Sequence, residues 1–222
     1  MSIWIKICAN TSLADAQFAA DAGADAVGFV FAPSPRRVTA SQVAAITPGL
    51  PADIEKIGVF VDAPYDEIVE TVRVCWLTGV QLHSEAGSDL PVQLRAAFGP
   101  GLRILRVVHF GPDGAEQGDV ERRDPNIDAV LVDSRTEKVV GGTGITFNWE
   151  AACKTLFTRA GSTRMIVAGG LSPENVATAI ATLNPWGVDV ASGVEAAPGK
   201  KDRAKVFAFV ANARAATSEI HP

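Results

Sequence analysis

Two residues of this chain are placed to move protons. Cys8 ends the apolar run Ile3 to Cys8, and Asp133 ends the run Ala129 to Asp133; both runs read as buried strands. A thiol and a carboxyl can each give or take a proton. A thiol and a carboxyl at the ends of separated strands therefore suit an acid–base pair facing each other across a barrel mouth. Three glycine-rich turns offer a second kind of chemistry. Gly141-Gly142-Thr143-Gly144 lies beyond the strand that ends at Asp133, Ala168-Gly169-Gly170-Leu171 follows the next strand, and Ala191-Ser192-Gly193-Val194 follows the last. Glycine lets backbone amides come close to an anion, and a short helix starting near Ser192 adds its positive end, so a phosphate monoester site is expected there. The plainer alternative is that these glycines only close tight strand-to-helix turns.

Such groups need a scaffold that brings strand ends together. Strands are expected at Ile3 to Cys8, Ala26 to Phe31, Lys56 to Val61, Val80 to His83, Arg103 to Val108, Ala129 to Asp133, Met165 to Ala168 and Gly187 to Ala191. Amphipathic, Ala-rich segments alternate with them: Leu13 to Ala22, Ala40 to Ile46, Tyr65 to Val74, Leu90 to Phe98, Trp149 to Arg159, Glu174 to Leu183 and Arg203 to Ala215. The fifth crossover, Gly111 to Asn126, is polar and carries Gly and Pro, so its helix is expected to be short or missing. Ser12 and Ser172 are expected helix caps, with Pro173 at a first helical position. Eight strand–helix units in 222 residues point to a single (β/α)8 TIM barrel with a frayed tail from about residue 216. A doubly wound open sheet is the alternative. Cys8-Ala9-Asn10-Thr11 contains no GxGxxG, which speaks against a dinucleotide there.

Composition narrows the function classes. A net charge of -5 with scattered Lys and Arg disfavours nucleic acid and anionic membranes as partners. No apolar run approaches the roughly 20 residues that span a bilayer, so a cytoplasmic protein is expected. Cys8, Cys75 and Cys153 are far apart, with neither a CxxC pair nor His-rich spacing, so neither a disulfide framework nor a metal site is indicated. No cofactor is expected. Cys75 and Cys153 read as small core hydrophobes. Lys6, two residues before Cys8, points to the same side of its strand, into the barrel. A buried lysine needs a partner, and barrel closure sets the last strand beside the first, so Asp189 is the expected one. Lys6 either tunes a Cys8 thiolate or forms an internal ion pair without catalytic effect.

The motifs Lys6-Ile7-Cys8, Gly23-Ala24-Asp25, Gly28-Phe29-Val30-Phe31, Ser34-Pro35-Arg36, Gly58-Val59-Phe60-Val61 and Gln81-Leu82-His83 occur in one order. Gly141-Gly142-Thr143-Gly144, Ala168-Gly169-Gly170-Leu171, Pro173-Glu174-Asn175-Val176, Val188-Asp189-Val190 and Ser192-Gly193-Val194-Glu195 continue it. With this set, the chain resembles the phosphoribosylanthranilate isomerases of tryptophan biosynthesis from end to end. The resemblance implies a cofactor-free Amadori rearrangement of N-(5-phosphoribosyl)anthranilate to 1-(2-carboxyphenylamino)-1-deoxyribulose 5-phosphate. It implies Asp133 as general acid and Cys8 as general base. Arg36 becomes the expected contact of the anthranilate carboxylate, ahead of Arg37. Gly142, Gly169, Gly170, Asp189, Ser192 and Gly193 are the other expected substrate contacts. His83, on the same strand face as Gln81, is either a substrate contact or a satisfied pocket histidine. The substrate partner is a phosphorylated aminosugar, and monomer and homodimer both stay open. Ala9 and Ser84 stand where the family has Gly, at a cost of about 1 kcal/mol each if those positions need positive φ. Asn148 replaces an Asp and can still cap a helix. Rival readings are another phosphate-binding barrel enzyme, such as an epimerase or aldolase, and a barrel that binds without catalysis.

Overall fold

In a computed structural model of the chain, residues 2–83, 89–110, 116–117, 124–134 and 149–220 are described. Gly142 with its turn, Ser84 and Asn148 lie outside them, as does most of the fifth crossover. Eight parallel strands form the centre: β1 (Trp4–Ile7), β2 (Ala26–Val30), β3 (Glu55–Val61), β4 (Gly79–His83), β5 (Arg103–Phe110), β6 (Ala129–Ser134), β7 (Met165–Val167) and β8 (Gly187–Val190). Each pairs with the next, and β8 pairs with β1 in the register Trp4↔Gly187 and Lys6↔Asp189, which closes the barrel. Closure leaves no exposed edge among the eight. A two-residue strand, Glu116–Gln117, adds antiparallel to His109 and Phe110 at the end of β5.

Around the barrel run α1 (Leu13–Ala22), α2 (Ala40–Ile46), α3 (Tyr65–Val74), α4 (Leu90–Phe98), α5 (Trp149–Ala152, prolonged by a π-helical turn over Cys153–Phe157), α6 (Val176–Leu183) and α7 (Arg203–Ile220). Their ends follow local chemistry. Ser12 accepts a hydrogen bond from the Asp15 amide to open α1, and Gly23, at φ +85°, closes it. Thr39 and Gln42 form a reciprocal capping box on α2. Two helices depart from expectation. α6 begins at Val176 instead of Glu174, because Ser172 Oγ accepts from the Glu174 amide while Asn175 Oδ1 accepts from the Ser172 amide. That closed turn occupies the residues read as a first helical turn. α7 continues beyond Ala215 to Ile220, with Arg214 tied to Gly23 and Asp25 near the chain's start. No helix among the described residues is long and apolar enough to cross a membrane.

Strand alternation divides the buried residues into two clusters. Outward-facing Ile5, Ile7, Val27, Phe29 and Val188 pack under the helices with Ala16, Val43, Ile68, Ile180 and Phe209. Inward-facing Trp4, Ala26, Ile57, Leu105, Leu131 and Ile166 fill the barrel floor. One step further along the strands the interior turns polar, with Lys6, Gln81 and Asp189 all buried. The next step reaches the mouth at the C-terminal strand ends. The apolar floor is what keeps water from reaching those charges from below.

Candidate active site

The β1–α1 turn sets the position of Cys8. Its amide donates to the Val190 carbonyl at 2.7 Å, one residue past the end of β1, and Ala9 then turns with φ +61°. Buried Asn10 fixes this turn by donating from Nδ2 to the carbonyls of Ile7 (2.8 Å) and Gly28 (3.1 Å). Ala9 thus holds a left-handed conformation that glycine adopts without strain, the circumstance under which its departure from the family pattern has a cost. On the neighbouring strand, a Cβ at Gly28 would lie 2.6 Å from Cys8 Sγ and 2.9 Å from Lys6 Cε. Only a residue without a side chain leaves room for the thiol and the lysine stem together.

Beneath the thiol, Lys6 is fully buried. Its Nζ sits 2.9 Å from Asp189 Oδ2 and donates to Gln81 Oε1 at 2.6 Å. Gln81 Nε2 lies 3.0 Å from His83 Nε2, so one polar chain runs from β8 through β1 to the mouth of β4. The His83 ring in turn stands 5.6 Å from that of His109. The other Asp189 oxygen, Oδ1, is buried with no hydrogen-bond partner among the described residues. A buried carboxylate oxygen without a partner, on a residue that lines a pocket, is a candidate acceptor for a ligand hydroxyl.

Burial works against a charge on Lys6, but the nearby Asp189 and Cys8 outweigh it and hold the ammonium above its ordinary pKa. For Cys8 the balance falls the other way. Burial pushes the thiol up, Lys6 and Lys201 pull it down, Asp189 adds to the rise, and the net direction is up. Lys6 and Lys201 therefore act on the sulfur against burial, and burial wins.

The pocket at the C-terminal strand ends brings together Cys8, Arg36, His83, Asp133, Gly169, Gly170, Asp189 and Ser192. Asp133 reaches it from β6, half-buried and in register with His109 of β5. Gly169 and Gly170 both adopt positive φ, +82° and +66°. Gly193 does not line the pocket. It lies behind, where a Cβ would overlap the Leu171 carbonyl, so it lets the turns after β7 and β8 touch. Arg37 turns away from Arg36 and donates to the Phe31 carbonyl at 3.1 Å.

Sequence reasoning missed how Arg36 is held. Its Nε donates to both Glu195 oxygens, at 2.8 and 3.0 Å, and its Nη2 to Oε2 at 2.7 Å. Burial opposes charge on Glu195, but Arg36 and Lys201 together hold its pKa below the usual carboxylate value. Glu195 was visible only as the end of the Ser192-Gly193-Val194-Glu195 motif, and Lys201 falls in no motif. Gln81 was legible as a neighbour of His83 on one strand face, but not as a ligand of Lys6.

This geometry can be set beside known proteins. The family model described as N-(5'phosphoribosyl)anthranilate (PRA) isomerase matches residues 5–212. The N-(5'-phosphoribosyl)anthranilate isomerase of Pelobacter propionicus is 41% identical over 218 residues, covering 98% of each chain. The crystal structure of the phosphoribosyl anthranilate isomerase of Thermus thermophilus is similar with a TM-score of 0.79 at 32% identity, over 99% of this chain and 100% of that one. Another solved isomerase, in complex with reduced 1-(o-carboxyphenylamino)-1-deoxyribulose 5-phosphate, is 31% identical with a TM-score of 0.74, over 96% of this chain and 99% of that one. Matched over nearly its whole length, with the same barrel, the chain belongs to the N-(5'-phosphoribosyl)anthranilate isomerase family.

Proposed function

We propose that this pocket isomerises N-(5-phosphoribosyl)anthranilate to 1-(2-carboxyphenylamino)-1-deoxyribulose 5-phosphate in tryptophan biosynthesis, with Asp133 as general acid and Cys8 as general base. The observation that carries the reading is that Cys8 and Asp133, from β1 and β6, open onto one pocket, with the buried Lys6 charge directly below the sulfur. Asp133 gives its proton to the ribose ring oxygen as the C1–O bond breaks, and the nitrogen lone pair forms an iminium at C1. The new positive charge acidifies the C2–H bond and favours the thiolate beside it. Cys8, reacting as the thiolate after its own proton has passed to solvent, takes the C2 proton, and the electron pair left behind makes the enolamine. Tautomerisation puts a proton on C1 and removes the one on the C2 oxygen, so the ketone forms with no net gain or loss of protons.

The remaining assignments follow the substrate's ends. Arg36 binds the anthranilate carboxylate through donors that Glu195 does not use. Gly169 and Gly170, with Ser192 in the turn after β8 and Gly193 supporting that turn, cradle the 5-phosphate, and Gly142 belongs to the same set. Asp189 Oδ1 and His83 address the sugar hydroxyls. All these residues come from one chain, so the reading needs no partner subunit, whether the protein works as a monomer or a homodimer. We place the enzyme in the cytoplasm, where a phosphorylated substrate is retained.

The test is turnover of freshly generated phosphoribosylanthranilate, followed by loss of its fluorescence, in the parent protein and in Cys8→Ala and Asp133→Ala. Activity in the parent and loss of about 100-fold or more in each folded variant is the expected result. An inactive, folded parent protein would point to a binding barrel instead.

A further inference from the structure

A second set of buried charges backs the pocket wall behind Ser192. The chain after β8 forms a small antiparallel hairpin, Glu195–Ala197 against Lys200–Lys201, whose register sets Lys201 opposite Glu195. Both residues are buried. Lys201 Nζ donates to Glu195 Oε1 at 3.3 Å and to the Ala191 carbonyl at 3.0 Å, and the Gly199 amide donates to Glu195 Oε1 at 3.3 Å. The hairpin is fastened to the first crossover, since Asp15 Oδ1 accepts from the Lys201 amide at 3.1 Å and Thr11 donates to the Gly199 carbonyl. Glu195 is therefore a fixed carboxylate, not a mobile surface group.

Its grip on Arg36 is selective. A guanidinium offers one lateral edge, Nε with one terminal nitrogen, and one terminal edge, the two Nη atoms. Glu195 occupies the lateral edge, and Nη1 has no partner among the described residues. The terminal edge is left for a second carboxylate. Charge also matters, because a lone Glu195 would neutralise Arg36 and remove its pull on an anion. Lys201 shares Glu195, so Arg36 is not the only partner of that carboxylate.

We propose that Glu195, braced by Lys201, is a positioning residue that holds Arg36 with its terminal edge open to an aryl carboxylate and so sets the preference for a carboxylated aromatic amine. This rests on the assignment of Arg36 above. Two reduced product analogues test it, one carrying the ring carboxylate and one made from aniline without it. Their affinity ratio in a single protein cancels any general loss of structure. The parent protein prefers the carboxylated analogue. Glu195→Gln places amide hydrogens against existing donors and is expected to cut that preference about tenfold or more, with KM for the substrate raised and kcat changed by less than about threefold. The double variant Glu195→Gln/Lys201→Met leaves no buried ammonium unpaired and gives the same reading if the single variant does not fold. If Arg36→Met keeps the preference, the Arg36 assignment itself is wrong. If Arg36→Met abolishes it while the Glu195→Gln variants retain it, the positioning role is overturned.

Discussion

Replacing Lys6 by Met probes the link between the buried ion pair and the catalytic base. The clash distances at Gly28 place Lys6 Cε and Cys8 Sγ within about 6 Å of each other. At an effective dielectric of about 20, a unit charge roughly 6 Å from the sulfur is worth about 3 kcal/mol to the thiolate. The base acts as thiolate, so kcat/KM rises as pH climbs through the Cys8 pKa. Lys6 pulls that pKa down against burial, and its removal raises it further. The rising limb of the kcat/KM profile is therefore expected to move to higher pH, with a loss of about 100-fold near neutrality that is recovered in alkali. The single variant leaves Asp189 buried without its cation, a cost of about 3–5 kcal/mol in stability. Lys6→Met/Asp189→Asn removes that cost, and because Asp189 itself raises the thiol, the limb shifts less in the double variant than in the single one. A folded Lys6→Met enzyme whose limb stays at the parent pH would refute the electrostatic argument.

Three further substitutions follow from local geometry. Gly28→Ala puts a methyl 2.6 Å from the reactive sulfur, so kcat should fall about tenfold or more while overpacking costs about 1–3 kcal/mol in a denaturant titration; parent-like kcat would mean the thiol has another place to sit. Ala9→Gly relieves the residue at φ +61° and should stabilise the fold by up to about 1 kcal/mol, seen as a melting point higher by about 2–4 °C. Gly193→Ala forces the turn after β8 away from Leu171, and KM should rise about tenfold, with weaker competitive inhibition by inorganic phosphate.

How far the sequence could be read differs by level. The eight strands and the helices from α1 to α4 stand where hydrophobic periodicity places them, because each strand is buried on both faces and each helix on one. The Lys6–Asp189 pair was also legible, since side-chain alternation points Lys6 inward and barrel closure fixes its neighbour. The upward push on the Cys8 thiol was not, because it depends on a sum of burial and three surrounding charges that spacing does not reveal. Glu195 and Lys201 escaped for another reason: they meet across a hairpin added to the strand–helix repeat, where the eightfold pattern gives no guide. The start of α6 was misplaced because a serine followed by proline looks the same before a helix as in the turn that precedes one.

The order of the two proton transfers is tested most directly by single turnover of substrate deuterated at C2 of the ribose, in the parent, Asp133→Asn and Cys8→Ser proteins. Single turnover excludes product release from the measured rate. The mechanism predicts a primary isotope effect in the parent, its suppression in Asp133→Asn as ring opening becomes limiting, and its persistence or increase in Cys8→Ser, where the weaker base makes C2–H cleavage slower. An isotope effect that is undiminished in Asp133→Asn, or a Cys8→Ser enzyme as fast as the parent, would contradict the acid–base pair.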